Sequence, residues 1–324
     1  MLTRAEQVIP HDQGTPARLG LVARDIKLSH SIFALPFAIL GAFLAQPADM
    51  PRGRFAAILA LVVVCMISAR TYAMVVNRLA DRRIDSDNPR TRGRVFASGS
   101  VTPAFGFAVL AGCVAAFLAA TSLFWVFFGN AWPLLLAVPV LCWIGAYSFT
   151  KRFTFACHLF LGSSLAASPV AAAIAVCPGV VGLPSNFPPT QLAPGAGGAI
   201  WALAGMVMLW VAGFDIIYSL QDVAEDRRQR LFSVPSKLGV PAALWISRAF
   251  HAGAFVLLAV CWRQDPRLGA LFGLGVALVG VLLVGEHAIL ARRGKEGLQA
   301  AFFTFNGIVS LVVGTLGVID LVAV

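Results

Sequence analysis

The sequence predicts an all-α, polytopic membrane protein of nine transmembrane helices, and three observations carry that fold class. Of 324 residues, 59% are hydrophobic and only 12% are charged, where an average soluble protein carries about 25% charged residues. The apolar residues fall in runs of the length a hydrocarbon core about 30 Å thick requires, about 20 residues per helix. The basic residues alternate between rich and poor connecting segments along the chain. So little charge cannot cover the surface of a soluble domain of this length. A soluble globular enzyme, a disordered tail and a fibrous repeat are thereby excluded.

Taken in order, a polar N-terminal segment (1–27) precedes a single transmembrane domain (28–324). Residues 1–25 are polar and end in no small-residue cleavage site, so no secretory signal is expected. The spans fall at 28–46, 55–79, 103–125, 132–149, 156–177, 199–221, 241–262, 268–290 and 299–323. The third and fourth share an uncharged stretch that only Gly129-Asn130 interrupts.

Arg and Lys set the orientation. Arg4, Arg18, Arg24 and Lys27 precede span one, and Arg78, Arg82, Arg83, Arg90, Arg92 and Arg94 follow span two. Lys151 and Arg152 follow span four; Arg227, Arg228, Arg230 and Lys237 follow span six; Arg292, Arg293 and Lys295 follow span eight. The opposite side holds only Arg52, Arg54, Arg263 and Arg267. The positive-inside rule then places the N-terminus and the even-numbered loops in the cytoplasm, with the chain in the inner (cytoplasmic) membrane. This topology accounts for part of the net charge of +10, so no nucleic-acid partner is expected. The six cysteines stand singly in apolar stretches, without a metal-ligand or disulfide pattern. His158, His251 and His287 read as packing or interfacial residues.

Seven of the 15 acidic residues form two clusters. The first is Asn77-Arg-Leu-Ala-Asp81-Arg-Arg-Ile-Asp85 with Asp87, and the second is Asp215-Ile-Ile-Tyr218-Ser-Leu-Gln-Asp222-Val-Ala-Glu225-Asp226. On a helix, Asn77, Asp81 and Asp85 project from adjacent turns of one face, and Asp222 and Asp226 repeat that spacing. Arg70 stands to Asn77 as Asp215 stands to Asp222, seven residues before it. Both clusters end a span and run into an Arg-rich loop, four spans apart, so the chain reads as two diverged halves. Like-charged carboxylates four apart repel on a helix. Two such clusters at one membrane face point to a cation between them, although solvated helix ends have the same composition. Oxygen ligands without His or Cys select Mg²⁺, Mn²⁺ or Ca²⁺. Mg²⁺ binds through one or two carboxylates plus substrate phosphates. Two facing clusters therefore suit two Mg²⁺ ions with a diphosphate between them, and at a bilayer the fitting substrate is an isoprenoid diphosphate.

At these residues the chain resembles the UbiA-type intramembrane prenyltransferase superfamily over nearly its whole length. The resemblance implies nine helices around a central cavity, with two aspartate-rich motifs after helices two and six. Asn77, Asp81 and Asp85 match the first motif, Asp222 and Asp226 the second, with Asp215 upstream. Tyr147-Ser-Phe-Thr-Lys151-Arg152 resembles the segment where members carry a Tyr and a basic residue for the diphosphate, and Arg94-Val-Phe-Ala-Ser98-Gly99 resembles the Arg-Pro-Leu-x-Ser-Gly segment that follows the first motif. The chain departs from the family at Arg78, where most members have Asp, so position 78 is not expected to bind metal. His30-Ser-Ile-Phe-Ala-Leu-Pro-Phe37, Asn77-Arg78 and Tyr218-Ser-Leu-Gln-Asp222 resemble the 4-hydroxybenzoate polyprenyltransferase-like branch. They are especially similar to its members on the futalosine route to menaquinone.

The resemblance implies transfer of a polyprenyl group from an allylic polyprenyl diphosphate to an aromatic acid, 4-hydroxybenzoate or a dihydroxynaphthoate, in ubiquinone or menaquinone biosynthesis. Asp81, Asp85, Asp215, Asp222 and Asp226 would be the catalytic carboxylates. Asn77, Asp81 and Asp85 would hold one Mg²⁺, and Asp222 and Asp226 a second. Lys151, Arg152, Arg94, Tyr147 and Lys237 would bind the diphosphate. Arg70, a charge inside a span, is expected to face a cavity and take the acceptor carboxylate, its alternative being a salt bridge to Asp81, Asp85 or Asp215. Arg24, Lys27 and His30 read either as snorkelling anchors or as substrate contacts, with Arg24 placed toward the acceptor. A haem, lipid or chlorin acceptor stays open, and so does a transporter, whose binding sites lie nearer the bilayer midplane.

Overall fold

The computed structural model describes residues 14–26, 34–185, 192–294 and 304–323, so Lys27 and His30 lie outside the described residues. Fourteen α-helices are present among them, and no strand. They are α1 (Thr15–Asp25), α2 (Leu35–Leu44), α3 (Arg52–Ala80), α4 (Arg82–Asp87), α5 (Pro103–Phe128), α6 (Trp132–Leu135) and α7 (Ala137–Thr150). Then come α8 (Cys157–Val176), α9 (Ala196–Ser219), α10 (Val223–Arg228), α11 (Val234–Leu238), α12 (Val240–Gln264), α13 (Ala270–Arg293) and α14 (Asn306–Ala323).

Seven of the described helices (α3, α5, α8, α9, α12, α13 and α14) are long and apolar enough to cross a bilayer, and α2 and α7 are shorter apolar helices. The chain is a multi-pass, all-α membrane protein. Large apolar side chains such as Phe127, Trp245, Val281 and Val284 are exposed on the outer faces, as lipid-facing positions require.

One expected boundary and one unexpected break have a physical cause. Gly129 ends α5 in the left-handed conformation at φ 71°, where only glycine avoids a Cβ clash. Asn130 then fixes the turn by donating from Nδ2 to the carbonyl of Ile174 at 2.8 Å. The span expected at 132–149 is not one helix. It breaks at Leu136 between α6 and α7, because Pro139 lacks an N–H and its ring crowds the carbonyl of Leu135 four residues back.

Helix α9 is the most deeply buried span. It packs between α8 on one side and α12 on the other. Small residues permit the close approach: a Cβ on Gly162 of α8 would stand 2.3 Å from the Met208 carbonyl oxygen of α9. Similarly, Gly41 of α2 lies against the Pro169 backbone of α8. In the bilayer, where burial gives little advantage over lipid contact, such backbone proximity supplies much of the packing energy.

A cavity of about 410 Å³ lies on the other side of this wall. It is bounded by α3, α5, α6, α7, α8 and α9, and none of its lining residues comes from α12, α13 or α14. Helix α9 contributes Val211 and Phe214 to the cavity wall and packs against α12.

Candidate active site

Each acidic cluster spans a junction where a long helix gives way to a short one. Helix α3 stops at Ala80, and Asp81 sits at the junction with α4 at φ −91° and ψ 3°. Helix α9 stops at Ser219, and Asp222 begins α10 at φ −105° and ψ 6°. In both, the N–H four residues on bonds back to the first Asp carbonyl at 2.7 Å, Asp85 to Asp81 and Asp226 to Asp222. Past Asp81 the ladder carries on from the Asp81 N–H bond to Asn77, whereas before Asp222 it tightens to three-residue bonds from Leu220, Gln221 and Asp222; in both the carboxylates remain one turn apart.

The fold brings the two loops together. Asn88 Nδ2 donates to Asp222 at 3.2 Å. The Arg90 guanidinium reaches both Asp222 oxygens, at 2.9 and 2.5 Å, and the Tyr218 hydroxyl at 3.1 Å. Backbone carbonyls of Ile84 and Asp87 accept from Gln229 and Arg228. The α7–α8 connection joins them, since the Phe232 N–H donates to the Lys151 carbonyl at 2.7 Å.

The acids are matched by cations across this junction. Asp81, buried to 1% exposure, is held by Lys151 at 2.6 Å and Arg152 at 2.9 Å. Asp85 takes a bidentate contact from Arg94 Nη1 at 2.8 and 2.9 Å. Asp226 accepts from the Ser233 hydroxyl at 2.7 Å. Burial pushes the Asp226 carboxyl above the usual carboxylate range, with the neighbouring Asp222 charge adding to it and the Ser233 donor opposing.

Asp215 is held by a residue whose sequence position read as packing. His158 Nδ1 lies 2.7 Å from Asp215 Oδ2, and the Val234 N–H donates to His158 Nε2 at 3.2 Å. The accepting Nε2 carries no proton, so Nδ1–H donates to the carboxylate. His158 is buried in the first turn of α8. Its sequence gave no signal of this role, because the partner lies 57 residues away. The same holds for Arg90, which reads only as a topological charge until its fork meets Asp222.

Arg70 and Tyr147 both line the cavity, with Phe117, Phe124 and Phe214 as its aromatic wall. The three acids weighed as salt-bridge partners of Arg70 are held elsewhere: Asp81 by Lys151 and Arg152, Asp85 by Arg94, Asp215 by His158. Two expected residues are not brought in. Arg24 is exposed on α1 and absent from the cavity wall. Lys237 is exposed in α11, its ammonium 3.9 Å from the centre of the Phe232 ring. It lines a surface recess with Arg227 and Arg230.

The donor set fits a hard cation bridged to phosphate better than a cation held by protein alone. Among the described residues no three or more His, Cys, Asp or Glu side chains form a ligand cluster. Asp81, Asp85 and Asp222 are instead paired with Lys or Arg, and a diphosphate arriving with Mg²⁺ would offer the cations phosphate and the carboxylates metal.

This end-of-membrane pairing of two aspartate clusters has a match in sequence. A sequence model of the UbiA prenyltransferase family matches residues 34–308. The chain belongs to that family. A 4-hydroxybenzoate octaprenyltransferase of Paracidovorax citrulli is 30% identical over 314 residues, 92% of each chain. One from Nitrosomonas europaea is 28% identical over 239 residues, 73% of this chain and 71% of that one. Among solved structures, the apo UbiA homologue from Aeropyrum pernix K1 aligns with TM-score 0.76 and 30% identity, covering 90% of this chain and 98% of that one. The Archaeoglobus fulgidus UbiA homologue bound to DMAPP and Mg²⁺ has TM-score 0.66 at 15% identity, with 94% and 99% covered. That likeness is one of fold.

Proposed function

We propose that this protein transfers a polyprenyl group from an allylic polyprenyl diphosphate to an aromatic acid of the 4-hydroxybenzoate or dihydroxynaphthoate type, in quinone biosynthesis. The observation that carries this reading is the placement of Arg70 and Tyr147 in an apolar cavity, with both aspartate motifs joined at the same helix ends. Family membership and the octaprenyltransferase relatives support it.

The reading assigns roles along one axis. Asp81, Asp85, Asp222 and Asp226 hold Mg²⁺, two ions in the full arrangement, which when bound neutralises the diphosphate and makes it a better leaving group. Lys151, Arg152, Arg94 and Arg90 already sit against these carboxylates and turn to the phosphate oxygens. Along α7 the cavity runs from Ala137 to Tyr147, about 15 Å of helix rise, and its length suits an extended prenyl chain. Phe117, Phe124 and Phe214 give the allylic cation a dry aromatic surround that leaves the acceptor ring as its nucleophile. Arg70 takes the acceptor carboxylate as a bidentate partner. Asp215, fixed by His158, either joins these carboxylates at the cation or orients the acceptor. The motifs lie at the cytoplasmic face by the distribution of Arg and Lys, and residues 28–324 form one nine-span domain under this reading.

Mass spectrometry of products formed from one polyprenyl diphosphate and either acceptor tests the reaction. The expected product is the prenylated aromatic acid with release of diphosphate. Arg70→Ala should raise the acceptor KM at least about tenfold while the donor KM holds, the cost of one charge-assisted pair. An unchanged acceptor KM would remove Arg70 from the acceptor site.

A further inference from the structure

The family match begins at residue 34, yet the helix before it is built into the site. Helix α1 buries Val22 and Ile26 against Val75 of α3 and Val95, Phe96 and Val101 of the following loop. This docking sets Asp25 beside Arg78. Asp25 Oδ2 accepts from Arg78 Nε at 3.0 Å, and the two side chains are only 11% and 10% exposed. Its other oxygen accepts from the Val95 N–H at 3.4 Å. The second arm of Arg78 then reaches Asn77: Nη1 donates to Asn77 Oδ1 at 2.9 Å. Asn77 Nδ2 in turn donates to Asp81 Oδ2 at 3.3 Å.

These contacts determine how the Asn77 amide is turned. Reversing it would set its NH₂ against the guanidinium donors and its oxygen against the Asp81 carboxylate. Only the amide oxygen can bind a hard cation, and here that oxygen is engaged by Arg78. A buried guanidinium would be costly without a fixed counter-charge, which Asp25 supplies.

We infer that Asp25 and Arg78 are positioning residues for motif one. Asp25 fixes the Arg78 guanidinium, Arg78 turns the Asn77 oxygen away from the cation, and the Asn77 amide nitrogen aligns Asp81. Arg78, where most family members have Asp, thereby converts Asn77 from a direct cation ligand into a donor that sets the Asp81 carboxylate. The consequence for catalysis rests on the prenyl-transfer reading; the consequence for cation binding does not.

The test is a Mn²⁺ titration followed by electron paramagnetic resonance, on full-length protein in lipid nanodiscs with geranyl thiolodiphosphate as a slow donor analogue. Arg78→Lys keeps the charge but cannot reach Asp25 and Asn77 together. It should weaken Mn²⁺ binding about fivefold to tenfold, the loss of one hydrogen bond to a charged group. Asp25→Asn should weaken it in the same direction, and the double variant should be no worse than Arg78→Lys alone, since both act through one chain of contacts. In the transfer assay the Mg²⁺ concentration for half-maximal rate should rise in parallel, more than kcat falls. Wild-type Mn²⁺ affinity in Arg78→Lys, additive losses in the double variant, or a lowered thermal midpoint with unchanged Mn²⁺ affinity would each overturn the inference. Wild-type protein that binds Mn²⁺ yet transfers no prenyl group would refute the proposed reaction alone.

Discussion

At the scale of single residues, the acids and their cations divide the labour differently from what spacing indicates. The carboxylates announce themselves, because Asp81, Asp85, Asp222 and Asp226 recur at helical intervals that cost repulsion. Their partners do not: Arg90 meets Asp222 and Lys151 meets Asp81 only through tertiary folding. His158 is the sharpest case, a buried imidazole whose protonated Nδ1 orients Asp215. Replacing it with Ala should lower kcat/KM for transfer about tenfold to a hundredfold, the usual range for a residue that orients a site group. His158→Gln can still donate to Asp215 and accept from the Val234 N–H, so it should retain several times more activity than the Ala variant. Equal losses in steady-state assays of the two variants would show that hydrogen bonding to Asp215 is not its contribution.

At the scale of elements, periodicity and length located the spans well, and local backbone chemistry decided where they failed. Gly129-Asn130 marks a real helix end, legible because Gly tolerates positive φ and Asn bonds a neighbouring turn. The break at Leu136 is not legible in the pattern although Pro139 causes it, since an apolar run of span length outweighs a single imino acid. The docking of α1 is invisible in the sequence because its apolar face is narrow and its partners are 49 to 74 residues distant, as between Val22 or Ile26 and Val75, Val95 or Phe96. The α8–α9 contact gives an element-scale prediction. Gly162→Val would place side-chain atoms inside the Met208 backbone and force the two helices apart. Overpacking of this kind costs about 1–3 kcal/mol or more, so the thermal midpoint in detergent should fall, and donor affinity with it as the cavity wall moves. A midpoint equal to that of the parent protein would mean the helices can separate without penalty.

At the scale of the whole molecule, the architecture has a wall, a cavity and a lid of charge. Helix α9 separates the cavity from α12–α14, and its far end carries motif two to the Arg90 fork of motif one. Part of the charge imbalance visible in the composition thus neutralises Asp81, Asp85 and Asp222. The last three helices share a buried polar core with α9, in which His251 and His287 meet at 3.0 Å and Trp210 of α9 donates to Asn306 at 2.8 Å. The central claim is that both aspartate motifs act as one metal–diphosphate site above the Arg70 cavity. The most direct measurement is Mg²⁺-dependent prenyl transfer by purified Asp81→Asn and Asp222→Asn proteins, each shown to be folded, beside the parent protein. Each substitution alone should reduce kcat by about 10² or more, and chelation of Mg²⁺ should abolish the parent activity. Near-normal, Mg²⁺-dependent transfer in either variant would contradict the claim.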